Sequence, residues 1–151
     1  MRNAQRKTDT GREALYFASM IYTATTDGVT VSVRVQFVPR NDDAIRAHKW
    51  LWTYHITIAN ASSRAVQLKT RHWRITDALG RVQTVDGEGV VGETPRIAPG
   101  DSYSYASGCP LDTDSGTMGG HYMCVTDEGE WLAIQVPLFS LDATLSKRTL
   151  N

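Results

Sequence analysis

The stretch Val29–Phe37, VTVSVRVQF, decides the fold class. Every odd position in it is apolar and every even position is polar. Because successive side chains of a β-strand point to opposite faces, this period of two predicts a strand with one buried and one solvent-facing side. Asp27-Gly28, directly before it, is a strong two-residue hairpin turn, so Met20–Thr25 is expected to pair back onto this strand.

The same period recurs along the rest of the chain. Trp50–Ile58, WLWTYHITI, alternates in the same way, and Asp77-Ala-Leu-Gly80 has the composition of a type I turn. Further strands are predicted over Val66–Asp77, Val82–Val85, Ser102–Ser107, Gly119–Thr126 and Trp131–Phe139. The segment DTDSGTMGG, residues 112–120, is predicted to be a loop.

Seven to eight short strands with turns between them and no convincing helix predict an all-β antiparallel sandwich of two sheets. The sandwich is expected to be one domain over residues 16–142. Residues 1–15 are expected to form a disordered N-terminal arm, and residues 143–151 a polar C-terminal tail.

Composition narrows the function classes. The chain has 151 residues, with 16 basic and 16 acidic side chains, so its net charge is zero. Nucleic-acid binding usually needs a basic surplus, so it is not favoured. No apolar run has the length of a membrane span, and the N-terminus lacks the apolar core of a signal peptide, so a cytoplasmic protein is expected.

Two cysteines are present, and cytosolic thiols normally stay reduced. Cys124 is expected to be a small core residue, since free cysteines are usually buried. Cys109 lies between Gly108 and Pro110 and is expected in a loop. A disulfide between the two cysteines is left open.

The segment Val85–Pro95, VDGEGVVGETP, contains a G-x-G-x-x-G pattern. In dinucleotide-binding proteins this pattern opens a helix whose N-terminus holds the pyrophosphate. Here Pro95 and Pro99 leave no room for such a helix, and no βαβ unit surrounds the pattern. No cofactor is therefore expected. The glycines instead indicate a bulge or a close backbone approach, although a nest of loop amides binding a small phosphate ligand stays open.

Metal and catalytic patterns are weak. The four histidines, His48, His55, His72 and His121, have no ligand spacing within a strand, and no metal site is predicted, although one assembled across strands stays open. The LDTDSG segment, residues 111–116, departs from calcium-loop spacing. Cys109 with His121 is a conceivable nucleophile and base, but a free loop thiol is more often inert, so no catalytic residue is assigned.

Several segments in one order resemble the bacterial ApaG family. They are RHWRITD (71–77), VDGEGVVGETPRIAPGD (85–101), YASG (105–108), GTMGGHYMC (116–124) and IQVPLFSLD (134–142). The resemblance implies an immunoglobulin-like or fibronectin type III-like sandwich. It also implies an association with diadenosine tetraphosphate hydrolysis and with cobalt and magnesium tolerance. Related domains of F-box proteins and of a polymerase-delta-interacting protein imply a protein-interaction module.

The surface that remains is centred on the glycine-rich segment. Its residues are candidates for protein contact or, as the alternative, for phosphate or nucleotide binding: Gly87, Glu88, Gly89, Val90, Val91, Gly92 and Glu93. Arg71, on the same strand face as Trp73 and Ile75, and Met118, between glycines, are expected as neighbouring contacts, because arginines and aromatic residues dominate interaction hot spots. The sequence thus predicts a non-catalytic module for another protein partner. A homodimer through an exposed sheet edge stays open.

Overall fold

The computed structural model describes residues 20–39 and 49–143. These residues form nine β-strands: β1 (Ile21–Thr26), β2 (Val29–Val38), β3 (Trp50–Asn60), β4 (Val66–Asp77), β5 (Val82–Glu88), β6 (Arg96–Ile97), β7 (Ser102–Leu111), β8 (Ser115–Thr126) and β9 (Trp131–Asp142). Within these ranges, no helix has the length and apolar character needed to cross a membrane.

The strands form two antiparallel sheets. The first has the order β1-β2-β3-β7, and the second has the order β5-β4-β8-β9 with the short β6 beside β4. The prediction of an all-β sandwich is confirmed. The hairpin turn at Asp27-Gly28 is confirmed as well, since both residues have positive φ, 50° and 80°, the signature of a type I′ turn.

Three details differ from the sequence prediction. The two-residue strand β6 was not predicted. Strand β7 continues to Leu111, which places Cys109 in a strand and not in a loop. Strand β8 begins at Ser115, so the loop predicted over residues 112–120 is wrong beyond Asp114. The predicted arm, residues 1–15, lies outside the described residues, as does the predicted tail except Ala143, which is buried.

Bulges in the second sheet change which residues face the core. In β4 the register shifts between Leu68 and Thr70, so the buried set moves from Val66 and Leu68 to Trp73 and Ile75. An inserted residue moves every later side chain to the opposite face. This shift turns Arg71 toward the space between the sheets.

An aromatic cluster holds the two sheets together. The ring of Trp73 meets those of Tyr54, Tyr122 and Phe139 with centroid separations of 5.7, 6.0 and 6.3 Å. Such edge-on pairs add to the free energy gained from apolar burial. The sheets also close against each other where β1 and β2 pack on β9. The opposite side, between the edge strands β5 and β7, carries half-buried apolar residues, among them Val85, Tyr103 and Tyr105.

Candidate functional site

The glycine-rich segment folds as a tight hairpin. The amide of Val90 donates to the carbonyl of Glu93 at 2.8 Å, and the amide of Glu93 donates back to Val90 at 2.9 Å. Val91 and Gly92 lie between them with φ of 49° and 79°. A two-residue loop with positive φ at both central positions is a type I′ turn. No helix follows Gly92, because the chain runs through Pro95 into β6.

Val91 is strained and exposed at the same time. A β-branched residue with positive φ is a genuine backbone outlier, and its cost is of the order of 1–2 kcal/mol. The Val91 side chain is 64% exposed, so the fold recovers little of that cost through burial. Backbone outliers of this kind concentrate at functional sites.

The other residues of the segment divide between core and surface. Val90 is 1% exposed and belongs to the core, so the prediction that it contributes to a contact surface is corrected. Gly89 is buried too, and a Cβ at this position would collide with the carbonyl of Glu93. This close approach explains the glycine. The exposed members are Glu88, Val91, Gly92 and Glu93.

The Arg71 side chain holds the hairpin through hydrogen bonds to its backbone carbonyls. Its Nη1 donates to the carbonyl oxygens of Glu88 at 2.9 Å and of Gly89 at 2.8 Å. Its guanidinium lies against Gly87, where an added Cβ would come within 2.7 Å of it. The side chain of Arg71 thus contacts the glycine segment directly, as predicted for its position. Because a charged donor is shared by two carbonyls, the hairpin is held in one arrangement.

The hairpin uses several of its own amides internally. Besides the Val90–Glu93 pair, the amide of Gly89 donates to the carbonyl of Lys69 at 2.8 Å. Amides engaged in this way are not directed at a bound anion. The exposed carboxylates of Glu88 and Glu93 would also repel a phosphate.

Met118 is not part of any surface. Its side chain is 2% exposed within β8, so the prediction of a neighbouring contact at Met118 is wrong. The glycines around it serve the strand itself. A Cβ on Gly116 would lie 2.5 Å from the carbonyl oxygen of Thr76, and one on Gly120 would collide with that of His72. These glycines permit close strand approach and do not mark a loop.

A row of tyrosines lies next to Arg71 in the space between the sheets. The hydroxyls of Tyr105 and Tyr122 are 2.5 Å apart. Burial, which disfavours the phenolate, raises the pKa of both groups above the ordinary value, and it also raises the pKa of Tyr54. All three phenols are therefore neutral hydrogen-bonding groups at neutral pH.

A histidine pair on the outer face of the second sheet was missed by the sequence argument. His72 on β4 faces His121 on β8, and their rings stack with centroids 5.0 Å apart. The Nδ1 of His72 is 2.7 Å from a carboxylate oxygen of Asp86. Only the register between strands brings these residues together, and no spacing within a strand reveals it. Over residues 20–39 and 49–143, no group of three or more His, Cys, Asp or Glu side chains is arranged to hold a metal ion.

The two cysteines are free, buried thiols. Burial raises the pKa of Cys109 to about 11 and that of Cys124 to about 12. Cys109 faces the core from the first sheet, whereas His121 belongs to the second sheet and stacks on His72. The structure does not bring together the nucleophile and base that the sequence had left conceivable.

The fold and the site together define a two-sheet β-sandwich domain that presents a rigid, strained hairpin. A family model described as the ApaG domain matches residues 40–126. Protein ApaG of Bradyrhizobium diazoefficiens is 51% identical over 131 residues, which are 87% of this chain and 100% of that relative. Protein ApaG of Afipia carboxidovorans is 49% identical over the same shares. The chain belongs to the ApaG family.

Solved structures agree with this assignment. A crystal structure described as an ApaA protein from Bordetella pertussis is similar to this chain with a TM-score of 0.70 and 42% identity. The match covers 76% of this chain and 92% of that one. A structural genomics target, SoR45, gives a TM-score of 0.72 at 40% identity, covering 79% of this chain and 89% of the other.

Proposed function

We propose that this chain is a non-catalytic protein-interaction module whose contact surface is the hairpin Gly87–Glu93, supported by Arg71. The exposed side chains Glu88, Val91 and Glu93 would make the contact. Gly89 and Val90 would hold the hairpin on the core. The proposed partner is another protein.

The observation that carries the proposal is the backbone of Val91. Asn-Gly is the preferred sequence for a type I′ turn because asparagine tolerates positive φ at little cost. Here valine occupies that position with φ of 49° and exposes 64% of its surface. Neither turn geometry nor core burial accounts for a branched apolar side chain at the tip. Contact with a partner accounts for it, because the partner would bury the side chain.

The anchoring by Arg71 supports the same proposal. Two hydrogen bonds from one guanidinium fix the carbonyls of Glu88 and Gly89 before any partner arrives. A contact loop that is already ordered loses less conformational entropy on binding, which favours affinity. The buried cysteines support the non-catalytic part, since a thiol whose pKa is raised to about 11 or 12 supplies little nucleophilic thiolate at neutral pH.

The test compares three forms of the full chain in affinity capture from an extract of the native host. They are the wild type, Val91→Asn and Leu79→Asn. Leu79 is the matched control, because it is 72% exposed at the tip of a different turn. Val91→Asn is expected to fold at least as stably as the wild type but to lose the captured protein, whereas Leu79→Asn keeps it. Equal capture by all three forms would contradict the proposal.

The alternative is binding of a phosphate or nucleotide by the hairpin amides. Titration with pyrophosphate, ATP and diadenosine tetraphosphate, followed by NMR amide shifts, separates the two functions. Saturable shifts confined to Gly87–Glu93 would favour the ligand. We propose that any link to cobalt and magnesium homeostasis is exerted through the partner protein. Calorimetry of the full chain with Co²⁺ and Mg²⁺ tests the opposite case, in which the chain binds these ions itself.

A further inference from the structure

Among residues 20–39 and 49–143, strand β7 pairs only with β3, which leaves one edge of the first sheet without a partner strand from this part of the chain. The backbone amide of Asn60 donates to the carbonyl of Asp101 at 2.9 Å, which fixes the odd-numbered residues of β7 as the set bonded to β3. The even-numbered residues therefore direct their backbone groups outward. Pro110 fits this assignment, since proline in a strand occurs where its missing N–H faces away from the ladder.

Apart from Pro110, this edge lacks the features that usually protect a sheet edge against a further strand. Natural proteins place charged residues, above all lysine, on exposed edges. The ten residues of β7, SYSYASGCPL, include no charged side chain. Its outward amides at Ser104, Ala106 and Gly108 belong to exposed residues, so a second strand can reach them.

The second sheet extends beyond this edge. Gln83, Val85 and Gly87 of β5 lie on the same face as Ile75, Trp73 and Arg71, their partners on β4. Yet Gln83 is exposed and Val85 only half-buried. Within the part of the chain that the structure describes, the first sheet leaves β5 partly uncovered, and one strand added to β7 would lie over it.

The gap has two chemically distinct ends. At one end lies a cleft of about 190 Å³, whose lining includes the apolar groups of Ile75, Val82 and Leu111 and the charged side chains of Lys49, Asp77, Arg81 and Asp112. The charged groups pair with one another, Lys49 with Asp112 and Arg81 with Asp77, which leaves the apolar groups as the unpaired part of the lining. That volume is below the roughly 300 Å³ at which pockets for drug-sized ligands begin, so it suits a single side chain. At the other end lies Arg71, which forms no ion pair with a carboxylate among residues 20–39 and 49–143. Ile75 and Arg71 are four residues apart on one strand, a span of about 13 Å.

We propose that an extended peptide of a partner protein adds to β7 as a further strand of the first sheet. Its backbone pairs with Ser104, Ala106 and Gly108. On the side chain face that covers β5, an apolar residue enters the cleft at Ile75 and an acidic residue four or more positions away meets Arg71. Main-chain hydrogen bonds supply affinity and the two side chains supply specificity, as in other strand-addition complexes. This surface shares Arg71 with the hairpin surface but does not include Val91.

The probe is a synthetic peptide of about nine residues, within usual strand length. Threonine occupies every second position and forms one face of the strand. The other face carries apolar residues, with leucine and aspartate four positions apart on it. Matched peptides carry lysine in place of aspartate, or N-methyl groups on alternate backbone nitrogens. Binding to the full chain is followed by NMR amide shifts.

We expect the aspartate peptide to cause saturable amide shifts at Ser104, Ala106 and Gly108. The lysine peptide should bind at least tenfold more weakly, and the N-methylated peptide should not bind. Ala106→Pro removes one outward donor and should weaken binding at least tenfold, whereas Ala106→Val keeps the donor and should bind normally. Circular dichroism confirms that both variants fold. Val91→Asn should leave this titration unchanged, so its outcome is independent of the hairpin proposal.

Three results would overturn the inference. The first is the absence of saturable shifts with the aspartate peptide. The second is equal binding of the N-methylated peptide, which would exclude main-chain pairing. The third is a concentration-dependent shift of the β7 amides without peptide, which would show that the edge serves a second copy of this chain instead.

Discussion

Replacing Val91 by asparagine tests the reading of the hairpin as strained. The wild-type residue holds φ of 49°, which costs a branched residue of the order of 1–2 kcal/mol and asparagine much less. Because Val91 is 64% exposed, the substitution loses only about a third of the roughly 1.5 kcal/mol that full burial of valine provides. The free energy of unfolding should therefore rise by about 0.5–1 kcal/mol, which raises Tm by about 1–4 °C for a domain of this size.

Urea and thermal unfolding followed by circular dichroism measure this change. The matched control is Gly92→Ala, where φ is 79° and an added Cβ would meet no atom within 4 Å. Since no collision occurs there, the loss of about 1 kcal/mol expected for Gly92→Ala reports backbone conformation alone. A Val91→Asn variant less stable than the wild type, or an unaffected Gly92→Ala, would refute the reasoning.

Three further predictions concern the core, the thiols and the turns. Gly120→Ala should lower the free energy of unfolding by about 3 kcal/mol or more in urea titrations, because its Cβ would collide with the rigid carbonyl of His72; a loss as small as that of Gly92→Ala would contradict this. Cys109 and Cys124, with pKa values raised to about 11 and 12, should resist iodoacetamide at pH 8 in the native protein and react rapidly in denaturant, as mass spectrometry would show. Burial by itself would raise the pKa of the Asp77 carboxyl, but hydrogen bonds from Arg81 and Leu79 hold that pKa below its ordinary value. This carboxylate contributes stability above its unfolded-state pKa of about 4 and loses it as pH falls through the lower folded value. Asp77→Asn should therefore flatten the acid-induced loss of stability below about pH 4, and an unchanged acid profile would count against this role.

The sheets could be predicted because alternation is local. Val29–Val38 and Trp50–Asn60 show their buried faces in the sequence itself, and the Asp27-Gly28 turn fixes one pairing. The glycines of β8 misled the prediction, because glycine marks both loops and close strand approach. Only the carbonyls of Thr76 and His72, which lie on another strand, decide between them.

The position of Arg71 beside the glycine segment could be predicted from the sequence, but the geometry of the hairpin could not. The sequence indicates that Arg71 shares a face with Trp73 and lies near the glycine segment. It does not indicate that Val90 is buried while Val91 stands at the tip, since both are valines in one run. The His72–His121 stack and the gap beyond β7 depend on register and on strand order, which arise from long-range pairing.

The most direct test of the proposed interaction surface is site-specific photo-cross-linking in the native host. A photoreactive amino acid is placed at position 91 in one form of the chain and at position 79 in the other, both of which are exposed turn positions. The proposed function predicts a discrete cross-linked partner from position 91 and none from position 79. No adduct at position 91, or the same adducts from both positions, would contradict it.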